Sequence, residues 1–393
     1  MVKIILNKRD SKIFNYYFIY SFLLLNPIWV LYLLKYGFSI YKITILDVIY
    51  YMTITLLSFP SGSIVDKIGR VYSLSISSLV TGIGILLFGL FPTFIGVSIS
   101  YVFWGFGNAL NSTAIETISY EYATMRGIRY LRFFGIVNFM GSVSVAVASL
   151  IGGAISAIVD FRFVIILTSI FVFISGYLAL SIKEVHIKKK NDSKGSVLNY
   201  IWNRNILSSI IIRVALLLDF NILILFKQPY YVMLGLDTVI IGLLFFIDVL
   251  IRGLSFLLTQ DIRIFRKNNF GAMLFLGSGI FFTIYIPGIY PGILAVTLLI
   301  INSGLFGFYT NLLSKDMNDN IPSHIRGQIL SIVYLITSLF TAIAEPELGY
   351  LASLKGIVFT MLIFSFIFFI LLVSGILVKI AHKRKYVFPS KWI

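Results

Sequence analysis

The sequence predicts an all-α membrane protein with twelve transmembrane helices in two pseudo-symmetric six-helix bundles. Three observations carry this prediction. Of 393 residues, 59% are hydrophobic and only 12% are charged, whereas a soluble domain carries about 25% charged residues. The apolar runs are long and continuous rather than alternating, so helices and not a barrel must satisfy the backbone inside the bilayer. An ordered set of residues also recurs without a gap. Phe106-Gly107, Asn111, Glu116 and Arg126-Gly127 return as Phe306-Gly307, Asn311, Asp316 and Arg326-Gly327, each pair offset by 200 positions.

Taken in order, apolar runs bounded by charge, Pro or Gly place helices at 12–36, 41–61, 71–91, 93–122, 129–157, 161–182, 205–234, 238–260, 269–287, 291–314, 327–353 and 355–380. The basic stretch Met1 to Lys12 precedes an apolar run of about 25 residues with no small-residue cleavage site, so this run reads as an uncleaved first helix. Helices 1, 4, 5, 7 and 11 exceed the roughly 20 residues a span needs and must tilt, bend or protrude. Helices 2 and 8 begin alike, with Tyr36-Gly37-Phe38-Ser39 and Leu234-Gly235-Leu236-Asp237, in which Ser39 and Asp237 suit helix N-caps. Three segments follow: a first bundle over 1–182, a basic linker over 183–204 containing Lys188-Lys189-Lys190, and a second bundle with its tail over 205–393.

The basic residues sort by side. With the N-terminus inside, about 25 of the 32 Lys and Arg fall in inner links and tails. Lys35, Lys42, Arg162 and Lys355 fall outside, and Arg213, Lys227 and Arg252 lie within spans. The positive-inside rule then puts both termini in the cytoplasm of a cell-membrane protein. Topology accounts for the net charge of +16, and no nucleic-acid partner is needed. The linker's basic run can meet anionic lipid headgroups, although a solvated polar link explains it equally. Cysteine is absent, which excludes disulfides and thiolate metal sites. His186, His324 and His382 fall in inner links or the tail, so no metal site is expected. There is no phosphate-binding loop for ATP and no hydrolase arrangement of Ser, His and Asp. We expect neither catalytic residues nor a cofactor.

Between the second and third runs lies Phe59-Pro-Ser-Gly-Ser-Ile-Val-Asp-Lys-Ile-Gly-Arg70. Here Gly62 permits close helix approach, Asp66 can accept backbone N–H groups or face a helix N-terminus, and Gly69 allows a tight reversal. Lys67 and Arg70 place charge on one side. The spacing Gly-x-x-x-Asp-Lys-x-Gly-Arg resembles the signature between helices 2 and 3 of the major facilitator superfamily, with Val71 where that family usually has another base. Twelve spans, cytoplasmic termini, a basic central linker and Arg-Gly before both helix 5 and helix 11 extend the resemblance over the whole chain. The second half keeps at most a remnant of the motif, Gln260-Asp261-Ile262-Arg263. The resemblance implies two bundles about a central cavity, with helices 1, 4, 7 and 10 lining it, 2, 5, 8 and 11 at the bundle interface, and 3, 6, 9 and 12 facing lipid. It also implies a cytoplasmic gate built on Gly62, Asp66, Gly69 and Arg70. Glu116 and Glu121 would serve as acidic partners of Arg70, Arg126 or Arg129, and Arg326 would mirror Arg126.

Ionisable groups inside spans cost about 2.5–3.5 kcal/mol each at the bilayer centre, so they must face a cavity or a partner. Helix 7 carries Asp219 and Lys227 on roughly one face, eight residues and about 12 Å apart. They are candidates for a substrate or proton site, or else are neutralised from other helices. Asn221 and Pro229 are positioned to bend this helix. Asp248 and Arg252 on helix 8 are spaced for an intrahelical pair. Glu345-Pro346-Glu347 on helix 11 would suit proton exchange if the two acids repelled one another, or would be solvated at the water boundary. Asn138 and Asn302, with Asn108, Asn111 and Asn311, either contact substrate or join helices. Tyr16, Tyr17 and Tyr20 on helix 1 can line an apolar pocket.

The resulting expectation is a monomeric secondary transporter working by alternating access. It would move a small, partly apolar or drug-like solute, with protons as the coupling ion and efflux as one direction. The rival expectations are a uniporter for a sugar or carboxylate, and a non-transporting receptor or scaffold on the same fold.

Overall fold

The computed structural model describes residues 8–128, 130–184, 204–259, 269–320 and 326–387. Most of the predicted linker, the Gln260 to Arg263 remnant, Arg129, His186 and His324 lie outside them. Among the described residues all regular structure is helical. The first half contains α1 (Lys8–Tyr20), α2 (Trp29–Lys35), α3 (Ile40–Ile68), α4 (Arg70–Leu90), α5 (Phe94–Met125), α6 (Tyr130–Ser156) and α7 (Phe161–Ala179). The second contains α8 (Arg204–Met233), α9 (Thr238–Leu258), α10 (Asn269–Tyr285), α11 (Ile293–Asn320), α12 (Arg326–Lys355) and α13 (Ile357–Val387). Helix stands in each predicted range. Among the described residues eight of these helices (α3, α4, α6, α7, α8, α9, α11 and α13) are long and apolar enough to cross a membrane. The protein is an integral membrane protein.

The first predicted helix, 12–36, is not continuous. Residues 21–28 between α1 and α2 leave the helix. Pro27 supplies no N–H and pushes Asn26 away from helical geometry. Polar groups at such a break need partners inside a membrane, and α7 supplies one to the backbone and α6 one to a side chain. Leu25 N–H donates to Thr168 Oγ1 at 3.2 Å, and Asn26 Nδ2 donates to Ser149 Oγ at 2.9 Å. Gly152 of α6 makes room, since a Cβ there would stand 1.9 Å from the Leu24 carbonyl oxygen. Leu24 and Ile28 then pack with Ala148 and Val164 in a closed apolar core.

The internal repeat reappears as local geometry. Gly37 and Gly235 take φ of 78° and 79°. Phe38 N–H reaches the Leu33 carbonyl and Leu236 N–H reaches the Tyr231 carbonyl, both at 3.1 Å. The next helices are then capped by Ser39, which accepts Lys42 N–H at 3.3 Å, and by Asp237, which accepts Ile240 N–H at 2.8 Å. One reversal is thus built twice from the same residue types.

By contacts the chain groups into two compact units, Met1–Lys189 with Tyr231–Leu257, and Lys190–Tyr230 with Leu258–Ile393. In the first, Gly105 and Gly107 bring α5 onto α3 and α4: a Cβ at 107 would lie 2.0 Å from Thr81 Oγ1, and one at 105 would lie 3.0 Å from the Tyr50 carbonyl oxygen. Helix α9 lies on α6 through Gly153 and Gly242, each of which leaves no space for a side chain on the other. In the second unit Ser208 Oγ of α8 donates to the Gly375 carbonyl of α13 at 2.7 Å.

Candidate functional site

In the first unit, α3 and α4 are separated by one residue. Gly69 adopts φ 98° and ψ 154°, a conformation that L side chains rarely take. Gly69 is also the N-cap of α4 and brings no side chain to it. Glu184, beyond the end of α7, supplies the missing acceptor. Its Oε1 accepts Arg70 N–H at 2.6 Å, and its carboxylate lies where a side chain on residue 69 would begin. The run that leads into Glu184 is tied down twice: Tyr122 Oη donates to the Lys183 carbonyl at 2.6 Å, and Lys12 Nζ donates to the Ser181 carbonyl at 2.8 Å.

The Arg70 side chain turns toward two acids. Its Nη2 lies 3.3 Å from Asp66 Oδ1, one turn back, and 3.1 Å from Glu121 Oε1 on α5. Arg70 and Glu121 are buried and Asp66 is exposed. Of the two acids predicted as partners, the one that meets Arg70 is therefore Glu121, while Glu116 is exposed. Five residues turn a helix by about 140°, which separates the two acids onto different faces. Arg126 is half-buried at the C-cap of α5, followed by Gly127 at φ 62°. Arg326 opens α12, and its side chain is outside the described set. Gly62 departs from its predicted role, because a Cβ there would meet nothing within 4 Å. Glu184 escaped the sequence reading. It closes an apolar run, which is a visible signal, but it lies 114 residues from Arg70.

In the second unit, α8 brings two ionisable groups to α11. Asp219 is wholly buried. Asn302 Nδ2 donates to Asp219 Oδ1 at 3.3 Å and to Thr283 Oγ1 of α10 at 3.1 Å. Lys227, also buried, donates from Nζ to Ser303 Oγ at 3.0 Å. Two charges two turns apart on α8 thus converge on adjacent residues of α11. Helix α8 runs unbroken from Arg204 to Met233 with Pro229 inside it, so neither Asn221 nor Pro229 interrupts it.

The remaining candidates are dispersed. Asp248 is buried and Arg252 half-buried, one turn apart on α9 with their charges interacting. Glu345 is 1% exposed, whereas Glu347 is exposed. Two residues turn a helix by about 200°, so the two acids point apart and the predicted mutual repulsion finds no support in their placement. Asn138 is exposed and donates to its own helix at the Phe134 carbonyl, 3.0 Å away. Asn311 donates to Thr259 Oγ1 at 3.3 Å, as a residue joining helices does. In the second unit Lys379 of α13 meets Asp316 of α11 at 2.6 Å.

Comparison with known proteins accords with this architecture. The family profile of the Major Facilitator Superfamily matches residues 13–345. No curated protein matches significantly. Among solved structures, the nucleoside transporter NupG is similar at a TM-score of 0.73 and 14% identity, covering 95% of this chain and 99% of that one. A bacterial homologue of the human lysosomal transporter Spinster, inward-facing and occupied, is similar at 0.74 and 13%, covering 95% and 96%. The D-xylose–proton symporter is similar at 0.70 and 14%, covering 95% of each chain. At these identities the likeness concerns the fold.

Proposed function

The chain belongs to the major facilitator superfamily, a family of membrane transporters, and from that premise we propose that it is a proton-coupled secondary transporter of a small solute, working by alternating access. The observation that carries the proposal is Asp219. A carboxylate wholly buried in an apolar helix is costly, and this one is held by Asn302 with Lys227 bound to the next residue along α11. An acid so placed can exchange a proton or a substrate contact as its surroundings change. The similar structures include a transporter of nucleosides and a symporter of D-xylose with protons, which supports a small polar or partly apolar solute and proton drive.

In this reading the Arg70, Asp66, Glu121 and Glu184 cluster is part of a cytoplasmic gate that forms in one state and parts in the other. The protein acts as a monomer in the cell membrane with both termini cytoplasmic. It is a transporter and not an enzyme.

The test is solute-driven proton movement in proteoliposomes containing a trapped pH dye, comparing the parent with Asp219→Asn. Proton flux on adding a solute gradient, lost in the variant while solute exchange persists, is the expected result. Solute movement without proton movement in the parent would make it a uniporter. Failure of every solute in a panel of nucleosides, sugars, carboxylates and lipophilic amines to move or bind would favour a receptor or scaffold.

A further inference from the structure

Two asparagines one turn apart on α5 are gripped alike but exposed differently. Asn111 is 4% exposed. It donates to the Tyr16 hydroxyl and to Ser77 Oγ at 3.3 Å. Asn108 accepts from Tyr20 Oη at 2.5 Å and donates to Tyr50 Oη at 2.5 Å, yet remains half-buried. Those are its hydrogen bonds among the described residues. A primary amide has two N–H donors and two carbonyl lone pairs, so one of each is left over. Tyr20 is itself held by Thr81 Oγ1 at 3.2 Å, which fixes the amide from behind.

An asparagine that only joins helices is best shut away from competitors, as Asn111 is. Asn108 instead sits beside rings that keep part of their surface exposed. The Tyr50 ring meets Tyr51 and Trp104 edge-on, with centroids 5.2 and 5.8 Å away, and both of those rings are half-buried. Trp104 lies one turn before Asn108 on the same helix.

We propose that Asn108, Tyr50, Tyr51 and Trp104 form a ligand subsite in the first unit for an uncharged, planar ring that carries both a hydrogen-bond donor and a carbonyl acceptor. The amide supplies the complementary acceptor and donor, and the rings supply stacking surface. A quaternary cation would use the ring faces but not the oriented amide, which is why the neutral class fits better. The subsite rests on the transport reading, since it names what that transporter carries.

The experiment is calorimetric binding of uridine to the purified full chain in detergent, with N3-methyluridine and tetraphenylphosphonium as comparators. Uridine should bind, and Asn108→Leu should weaken it about tenfold, as loss of a hydrogen-bonded contact does. Methylation of the ring N–H should weaken binding to the parent and not to Asn108→Leu. Tyr50→Phe keeps the ring and removes one oxygen, so it provides the same reading with an expected weakening of several-fold even if Asn108→Leu does not fold. Equal uridine affinity in parent and variants, insensitivity to methylation, absence of uridine binding, or binding of the phosphonium alone would each overturn the subsite. Uridine binding with no solute or proton movement in proteoliposomes would keep the subsite and overturn the transport reading. Proton flux driven by another solute, with no uridine binding, would do the reverse.

Discussion

Glu184 holds the first residue of α4 by its backbone: its Oε1 accepts the Arg70 N–H at 2.6 Å across 114 residues of chain. The contact exists because Gly69 leaves the helix start bare, at a φ of 98° that only glycine adopts cheaply. The same step from α3 to α4 carries the Asp66–Arg70–Glu121 ion pairs. This end of the first unit is therefore organised around one positive-φ glycine and a remote carboxylate.

Gly69→Ala should lower stability by about 1–3 kcal/mol, from backbone strain and from a Cβ facing the Glu184 carboxylate. Glu184→Ala should cost about 1 kcal/mol, as loss of a helix cap does. The double variant should be more stable than the sum of the two losses implies, because removing Glu184 removes the clash. Denaturant or thermal melts in detergent measure this, and strict additivity would show that the two residues do not meet.

Glu121→Gln should destabilise by about 3 kcal/mol or more, since it leaves the buried Arg70 charge short of a partner. Glu116→Gln, at an exposed position, should change stability by no more than about 0.5 kcal/mol. The two acids are five residues apart, so the contrast tests the rotation of α5 directly. Equal losses would mean that Arg70 is shared.

Asp219→Asn should abolish proton movement while leaving solute exchange measurable. Asn302→Leu should instead lower stability by about 1–3 kcal/mol, because it removes the donor to both Asp219 and Thr283. If Asp219→Asn leaves proton flux intact, the coupling acid lies elsewhere, and Glu345, which is also buried, becomes the next to replace.

Outside the spans, Asp160 caps α7. The Arg162 N–H bonded to its carboxylate lowers its pKa below 3.8, burial opposes this, and Lys35 at 3.4 Å adds to the lowering. A carboxylate with a depressed folded pKa contributes its full stability above the ordinary value of 3.8 and loses it as pH falls through the lower folded value. Both side chains of the Lys35–Asp160 pair are half exposed, so solvent screening limits that ion pair to less than about 1 kcal/mol. Asp160→Asn should therefore lower the melting temperature slightly at neutral pH, with the gap to the parent closing on acidification below the carboxylate range. A gap that widens on acidification would reverse the sign.

Much of the site was legible as residue type and little of it as pairing. Ser39 and Asp237 read as caps and act as caps, because capping is a contact within three residues. The first helix was read as continuous over 12–36, with Pro27 passed over, and the tolerance of the break there depends on Thr168, Ser149 and Gly152, which no local pattern connects to it. Glu345 and Glu347 were read together because they are neighbours in the chain, and the helix turns them apart.

By itself the order of amino acids determined the solvent, the helical class, the repeat and the family, because apolar run length, charge placement and turn residues are local properties that the bilayer reads one segment at a time. The tertiary structure alone decided that Glu121 and not Glu116 meets Arg70, that Glu184 caps α4, that Asp219 and Lys227 reach adjacent residues of α11, and that Asn108 stays open while Asn111 is shut. The Glu184 cap depends on the path of the chain beyond α7, and each of the others on how far one helix is rotated against another. A hydrogen bond is lost within about an ångström, whereas the periodicity that locates a helix places its face only to within a few tens of degrees.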